Sequence, residues 1–140
     1  MGRLMGIDYG EKRIGVALSD ISQFLSSPYT TIENKSKKYV LGEIKRIIQE
    51  KEVEELVVGL PVTLKGTDSV KTEEVRKWSE ELRKHVSVPV ILVDERLTTT
   101  QAHGLIHQRG EKVGKYRNKI DQMSASILLQ MVLDQRKNVK

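Results

Sequence analysis

The chain of 140 residues is 38% apolar, carries 24 lysines and arginines against 19 acids for a net charge of +5, and contains no cysteine. This excludes a disordered chain, a disulfide scaffold and a thiolate metal site, and the length suits one domain over residues 1–140 with a core of about two layers. The basic balance favours a polyanionic partner; no apolar run nears the roughly 18 residues of a membrane span and the N-terminus reads as a strand, so a cytoplasmic protein without a membrane partner is expected.

Arg3–Ile7 and Arg13–Ser19 read as two strands joined by the turn Tyr9-Gly10-Glu11-Lys12, whose glycine permits a tight reversal. Pro28–Ile32 reads as a third, edge-type strand. Between Lys37 and Lys51, Val40, Leu41, Ile44, Ile47 and Ile48 recur at helical spacing. Glu55–Gly59 is short and β-branched, and Leu60-Pro61 stops it. Asp68 or Ser69 can start a second helix with Val75, Trp78 and Leu82 on one face, and Pro89 separates that helix from the strand Val90–Val93. A third helix is expected from Thr99 or Thr100 to Arg109. A basic loop over Gly110–Lys119 then leads to a last helix with Ile120, Met123, Ile127, Leu128 and Met131 inward. The order βββαβαβαα, with right-handed crossovers, predicts an α/β fold: a mixed five-stranded sheet of order 3-2-1-4-5 flanked by helices, which resembles an RNase H-like domain.

Asp8 ends the first apolar strand. A carboxylate there is costly to desolvate unless a cation sits on it, and a metal ion is the partner this implies. The strand ending at Val93 runs parallel to the first, so Asp8 and Glu95 share a rim, with two strand spacings, about 9.6 Å, between their backbones. Asp121, at the expected start of the last helix, can project toward the same rim, although a capping or helix-dipole acid would also stand there. Phosphodiester cleavage by two Mg²⁺ ions needs carboxylates that converge on metals about 4 Å apart, and Asp8, Glu95 and Asp121 are the candidate set. Asp20 reads as a turn former. Asp94 is placed by strand alternation on the face opposite to Glu95.

Four stretches occur in order: Gly6-Ile7-Asp8-Tyr9-Gly10-x-Lys12-Arg13-Ile14-Gly15-Val16-Ala17-x-Ser19-Asp20, Val58-Gly59-Leu60-Pro61, Asp94-Glu95-Arg96-Leu97-Thr98-Thr99, and Asp121-x-x-Ser124-Ala125-x-x-Leu128-Leu129-Gln130. Together they make the chain resemble the YqgF/RuvX family over nearly its whole length. The resemblance implies an RNase H-like fold, a bacterial cytoplasmic setting, and a nuclease that uses Mg²⁺ or Mn²⁺ to mature the 5′ end of precursor 16S ribosomal RNA. An older family label refers to Holliday junction resolution, through similarity to RuvC. The family's acids fall on Asp8, Glu95 and Asp121, the same three residues. Two departures stand out: Ser124-Ala125 replaces the usual pair of alanines, and Gly59-Leu60-Pro61 offers no carboxylate where RuvC-like resolvases place one.

Candidate phosphate contacts are Lys12, Arg13, Arg96, Thr98 and Thr99, which cluster near the acids in sequence, and Lys112, Lys115 and Arg117 in the basic loop, where a solvated surface is the equal alternative. His103 and His107 stand four apart, but Gly104 occupies the place where a zinc protease carries glutamate. The leading expectation is a hydrolase acting on precursor 16S RNA, free or within a pre-ribosomal particle, as a monomer or weak homodimer. The alternatives are a junction resolvase acting on structured DNA, which would need a two-fold dimer, and an RNA-binding assembly module that does not cut. A nucleotide-phosphate loop around Asp8 is disfavoured, since sugar kinases and actin close a second domain over the nucleotide.

Overall fold

The computed structural model describes residues 2–61, 69–94 and 117–137. Strands β1 (Arg3–Asp8), β2 (Arg13–Ser19) and β3 (Ser26–Glu33) are followed by helix α1 (Lys37–Glu50), strand β4 (Val53–Leu60), helix α2 (Val70–His85), strand β5 (Val90–Asp94) and helix α3 (Arg117–Lys137). One five-stranded sheet has the order β3-β2-β1-β4-β5, with the first three strands antiparallel in succession and β1, β4 and β5 parallel. That is the expected topology. β3 and β4 run further than their apolar runs suggested, because ladder pairing carries β3 back to Ser26 opposite Ser19 and β4 back to Val53 opposite Arg3. The helix expected over 99–109 lies outside the described residues.

The sheet is covered on both faces, which is why β1, β2 and β4 read as nearly unbroken apolar runs. On one face, Met5, Ile7, Ile14, Val16, Leu56 and Val58 pack with Val40, Ile44 and Ile47 of α1 and Val75 and Leu82 of α2. On the other, Leu4, Ala17 and Val57 pack with Ala125, Leu128, Leu129, Val132 and Leu133 of α3.

Helix α3 corrects two expectations. It begins at Arg117, inside the segment expected as loop, so Asp121 lies in its second turn rather than at its start. Its buried face is Ile120, Ser124, Ala125, Leu128, Leu129, Val132 and Leu133, while Met123 and Ile127 are only half-buried. Ile120 and Leu128 point inward as expected and Met131 packs at the edge of the same cluster, but Ser124 and Ala125 take the place expected for Met123 and Ile127 because the sheet presents glycine beneath them: a Cβ on Gly6 would lie 2.7 Å from the Ala125 carbonyl oxygen and 2.9 Å from Leu129 Cβ.

Helix α2 starts where a capping residue was expected. Ser69 Oγ accepts from the Thr72 N–H at 3.2 Å, and Thr72 Oγ1 accepts from the Ser69 N–H at 2.9 Å. The Thr72 hydroxyl also donates to the Pro61 carbonyl, tying the helix start to the end of β4. Ser69→Ala should therefore lower stability by about 1 kcal/mol, the ordinary worth of such a cap. A thermal melt should show a fall of roughly 4 °C; an unchanged melting temperature would mean the cap contributes nothing here.

Candidate active site at the sheet rim

Asp8 is the last residue of β1 and shares the α3 face, since Gly6 and Leu4, two and four residues before it, both lie there. Across the antiparallel pair it stands opposite Gly15 of β2. A Cβ on Gly15 would lie 2.1 Å from the Asp121 carbonyl oxygen and 2.9 Å from Asp121 Cβ. Asp121 thus rests directly on the one position of β2 that faces Asp8, which brings the two aspartates to the same end of the same sheet face. Glycine at position 15 is what allows this approach, and Gly6 extends the contact one helical turn further along α3.

Arg13 shares this face and donates from Nε to Asp121 Oδ2 at 3.1 Å, with both side chains about one quarter exposed. It is a candidate phosphate contact that also positions a candidate acid. Lys12, in the turn after β1, is exposed. The turn is pinned from β3's far end: Asn34 Nδ2 donates to the Gly10 carbonyl at 2.9 Å, and the Asn34 N–H donates to the Lys12 carbonyl at 2.9 Å.

The parallel register sets Val58 beside Ile7 and hence Gly59 at the level of Asp8, and β5 follows with Val93 beside Gly59. The β4 position beside Asp8 therefore carries no carboxylate. Val90 and Leu92 face the α1/α2 core while Ile91 and Val93 face α3, so alternation places Asp94 away from Asp8 and Asp121. Asp20 is a turn former: its Oδ1 accepts from the N–H groups of Phe24 at 2.7 Å and Leu25 at 3.0 Å, and these bonds hold its carboxyl below the usual carboxylate range.

Glu95, Arg96, Thr98, Thr99, Lys112 and Lys115, and the histidines 103 and 107, lie outside the described residues, and Arg117 is described only as the first residue of α3. Among the described residues no cluster of three or more His, Asp or Glu stands close enough to hold a metal. Sequence reasoning missed Gly15 and Asn34 as determinants of the site. A glycine amid β-branched residues of a strand was the available signal for the first, since it marks a close backbone approach. For Asn34, beyond the expected end of the third strand, there was no such signal.

Fold and rim together define a class: an RNase H-like α/β domain of the kind found in resolvase nucleases. Among solved structures, the chain aligns with Thermus thermophilus RuvC bound to a Holliday junction substrate at a TM-score of 0.61 and 12% identity, covering 99% of this chain and 97% of that one. It also aligns with the fowlpox virus resolvase in its Holliday junction complex at a TM-score of 0.60 and 11% identity, covering 99% of both.

The RuvX family model, described as "Holliday junction resolvase", matches residues 2–135, and the chain belongs to that family. Relatives named "Putative pre-16S rRNA nuclease" include one from Caldanaerobacter subterraneus subsp. tengcongensis, 42% identical over 137 residues that cover 97% of this chain and 99% of the relative. Another, from Chloroflexus aurantiacus, is 38% identical over 135 residues covering 96% of this chain and 88% of the relative. No described helix is long and apolar enough to cross a membrane.

Proposed function

We propose that the chain is a metal-dependent nuclease that hydrolyses phosphodiester bonds while maturing the 5′ end of precursor 16S ribosomal RNA in the cytoplasm, with Asp8, Glu95 and Asp121 as its acids. The observation that carries this reading is the seating of Asp121 on Gly15, opposite Asp8, at the C-terminal end of β1. The names of the relatives support the substrate. Glu95 completes the set because it follows Asp94, whose side of the sheet is the wrong one.

The donor set fits a divalent ion: Asp8 and Asp121 offer hard carboxylate oxygens on one face, which suit Mg²⁺ or Mn²⁺. Such an ion, when bound, supplies Lewis-acid polarisation of the phosphoryl oxygen and a more acidic water. Arg13 fixes the orientation of Asp121 and adds positive charge beside the acids, and Lys12 adds more at the turn, so a phosphate is drawn to a rim that would otherwise repel it. Cutting one RNA strand needs one such centre, and a monomer or weak homodimer suffices.

Arg13→Met should lower cleavage about tenfold by freeing the Asp121 carboxylate, with a stability loss of about 1 kcal/mol, as for a partly exposed ion pair. Unaltered turnover would limit Arg13 to a structural role.

The deciding assay offers wild-type protein a 5′-extended 16S precursor, free and in a pre-ribosomal particle, beside a four-way DNA junction, with Mg²⁺, Mn²⁺ or EDTA. RNA trimming that stops in EDTA is expected. The family description favours a second reading, junction resolution, which symmetric cutting of the DNA by a stable dimer would establish instead. Tight RNA binding without cutting of either substrate would make the chain an assembly module.

A further inference from the structure

On the side of the rim opposite Asp8, the Tyr9 ring packs toward the α1/α2 core and meets Trp78 of α2, with centroids 4.5 Å apart and planes tilted by 37°. Both rings remain partly exposed. They border a hollow of about 420 Å³ completed by Asn34, Lys37, Lys77 and Glu81. A second hollow of about 480 Å³ is lined by Lys12, Arg13 and Lys35, with Glu11 and Glu33 at its edge, and it too is lined by Asn34. The two hollows therefore meet at Asn34, one on the acid side of the rim and one beyond it.

We infer that the Tyr9–Trp78 hollow is a nucleotide subsite that takes an unpaired base of single-stranded RNA flanking the phosphate at the acids. The inference rests on the nuclease reading for its polynucleotide substrate, and deepens it by naming the strand's path: past Arg13 and Lys12, over Asn34, and into the hollow. Three features converge there. The aromatic pair offers ring surface to a base, and every base has a face to stack. Lys77 is exposed at the mouth, and no ion pair involves it among the described residues, so its charge is available to a phosphate. Glu81, about one third exposed, carries Lys37 at 2.9 Å with Lys84 and His85 further off at 3.8 and 3.6 Å, and its carboxylate stands at the hollow as an acceptor for the amino or imino edge of a base. The volume falls in the range of small-molecule sites. A base within a duplex is already stacked and paired, so it would enter only at the cost of flipping, and the hollow selects single strands.

Trp78 is the only tryptophan in the chain, so its fluorescence reports this hollow alone. The test titrates full-length protein in EDTA with a ten-nucleotide oligouridylate while the anisotropy of a dye-labelled copy follows total binding. Saturable change in Trp78 emission in step with anisotropy is expected. Lys77→Ala and Tyr9→Leu should weaken binding, the latter about tenfold. A circular-dichroism melt confirms that each variant folds, and Lys77→Ala, an exposed change, keeps the test sound if Tyr9→Leu does not. Anisotropy rising with constant Trp78 emission would overturn the subsite and leave the nuclease reading standing. Absence of any binding, or equal response to a duplex of the same length, would also overturn it. A Trp78 response in a protein that cuts nothing in Mg²⁺ would keep the subsite and remove the nuclease.

Discussion

Asp8→Asn should abolish metal-dependent trimming of a 5′-extended 16S precursor, by about a thousandfold or more, while the protein still folds with a melting temperature close to that of the wild type. The change is isosteric, so packing at the end of β1 is preserved; what is lost is a negative charge that a divalent ion needs, and several kcal/mol of transition-state stabilisation go with it. Asp121→Asn should match the loss of activity but not the stability, because it gives up the ion pair with Arg13 and so should melt slightly lower than wild type. The contrast between the two variants separates a catalytic from a structural role. If Asp8→Asn kept full activity, the proposed set of acids would be wrong.

Gly15→Ala carries the largest structural effect. The added methyl would stand 2.1 Å from the Asp121 carbonyl oxygen, a backbone atom that no rotamer change can move aside. Helix α3 must lift from β2, opening its packing on Leu4, Ala17 and Val57. Overpacking costs about 1–3 kcal/mol where side chains can yield, and here only backbone can, so about 3 kcal/mol or more is expected. A fall of roughly 10 °C in melting temperature should accompany loss of cleavage, because Asp121 leaves its place opposite Asp8. Gly42→Ala serves as control: it lies in α1, where an added Cβ meets nothing within 4 Å, and it should raise stability by about 0.5–1 kcal/mol. Equal melting temperatures for the two variants would refute the close-approach account.

The strand order was legible because the apolar runs are β-branched and punctuated by Gly10, Pro61 and Pro89, which leave few alternative pairings. Asp8 was legible for a related reason: a carboxylate that ends a buried run demands an explanation. Asp121 was reached from the expected start of the last helix and from its motif, but the helix begins a turn earlier and the environment of Asp121 was not legible. Helical periodicity says which residues share a face and not how close that face comes to a sheet, and the distance here is set by Gly6 and Gly15 on other strands. The same blindness favoured Met123 and Ile127 over Ser124 and Ala125 as the inward face: hydrophobicity ranks the larger side chains first, while the two strand glycines reward the smaller ones. The Tyr9–Trp78 contact joins residues far apart in sequence and left no local trace.

The ion pair that orients Asp121 spans 108 residues of sequence, which gives the site a place in time as well as in space. Ribosomes release a chain N-terminus first at roughly 5–20 residues per second, so for several seconds a growing copy has Asp8 and lacks Asp121. During that interval Leu4, Ala17 and Val57 wait without the helix that covers them. Until the final helix folds onto the sheet, Asp121 has no seat on Gly15 and the rim around Asp8 is incomplete, so the two ends of the chain assemble the candidate site together and late.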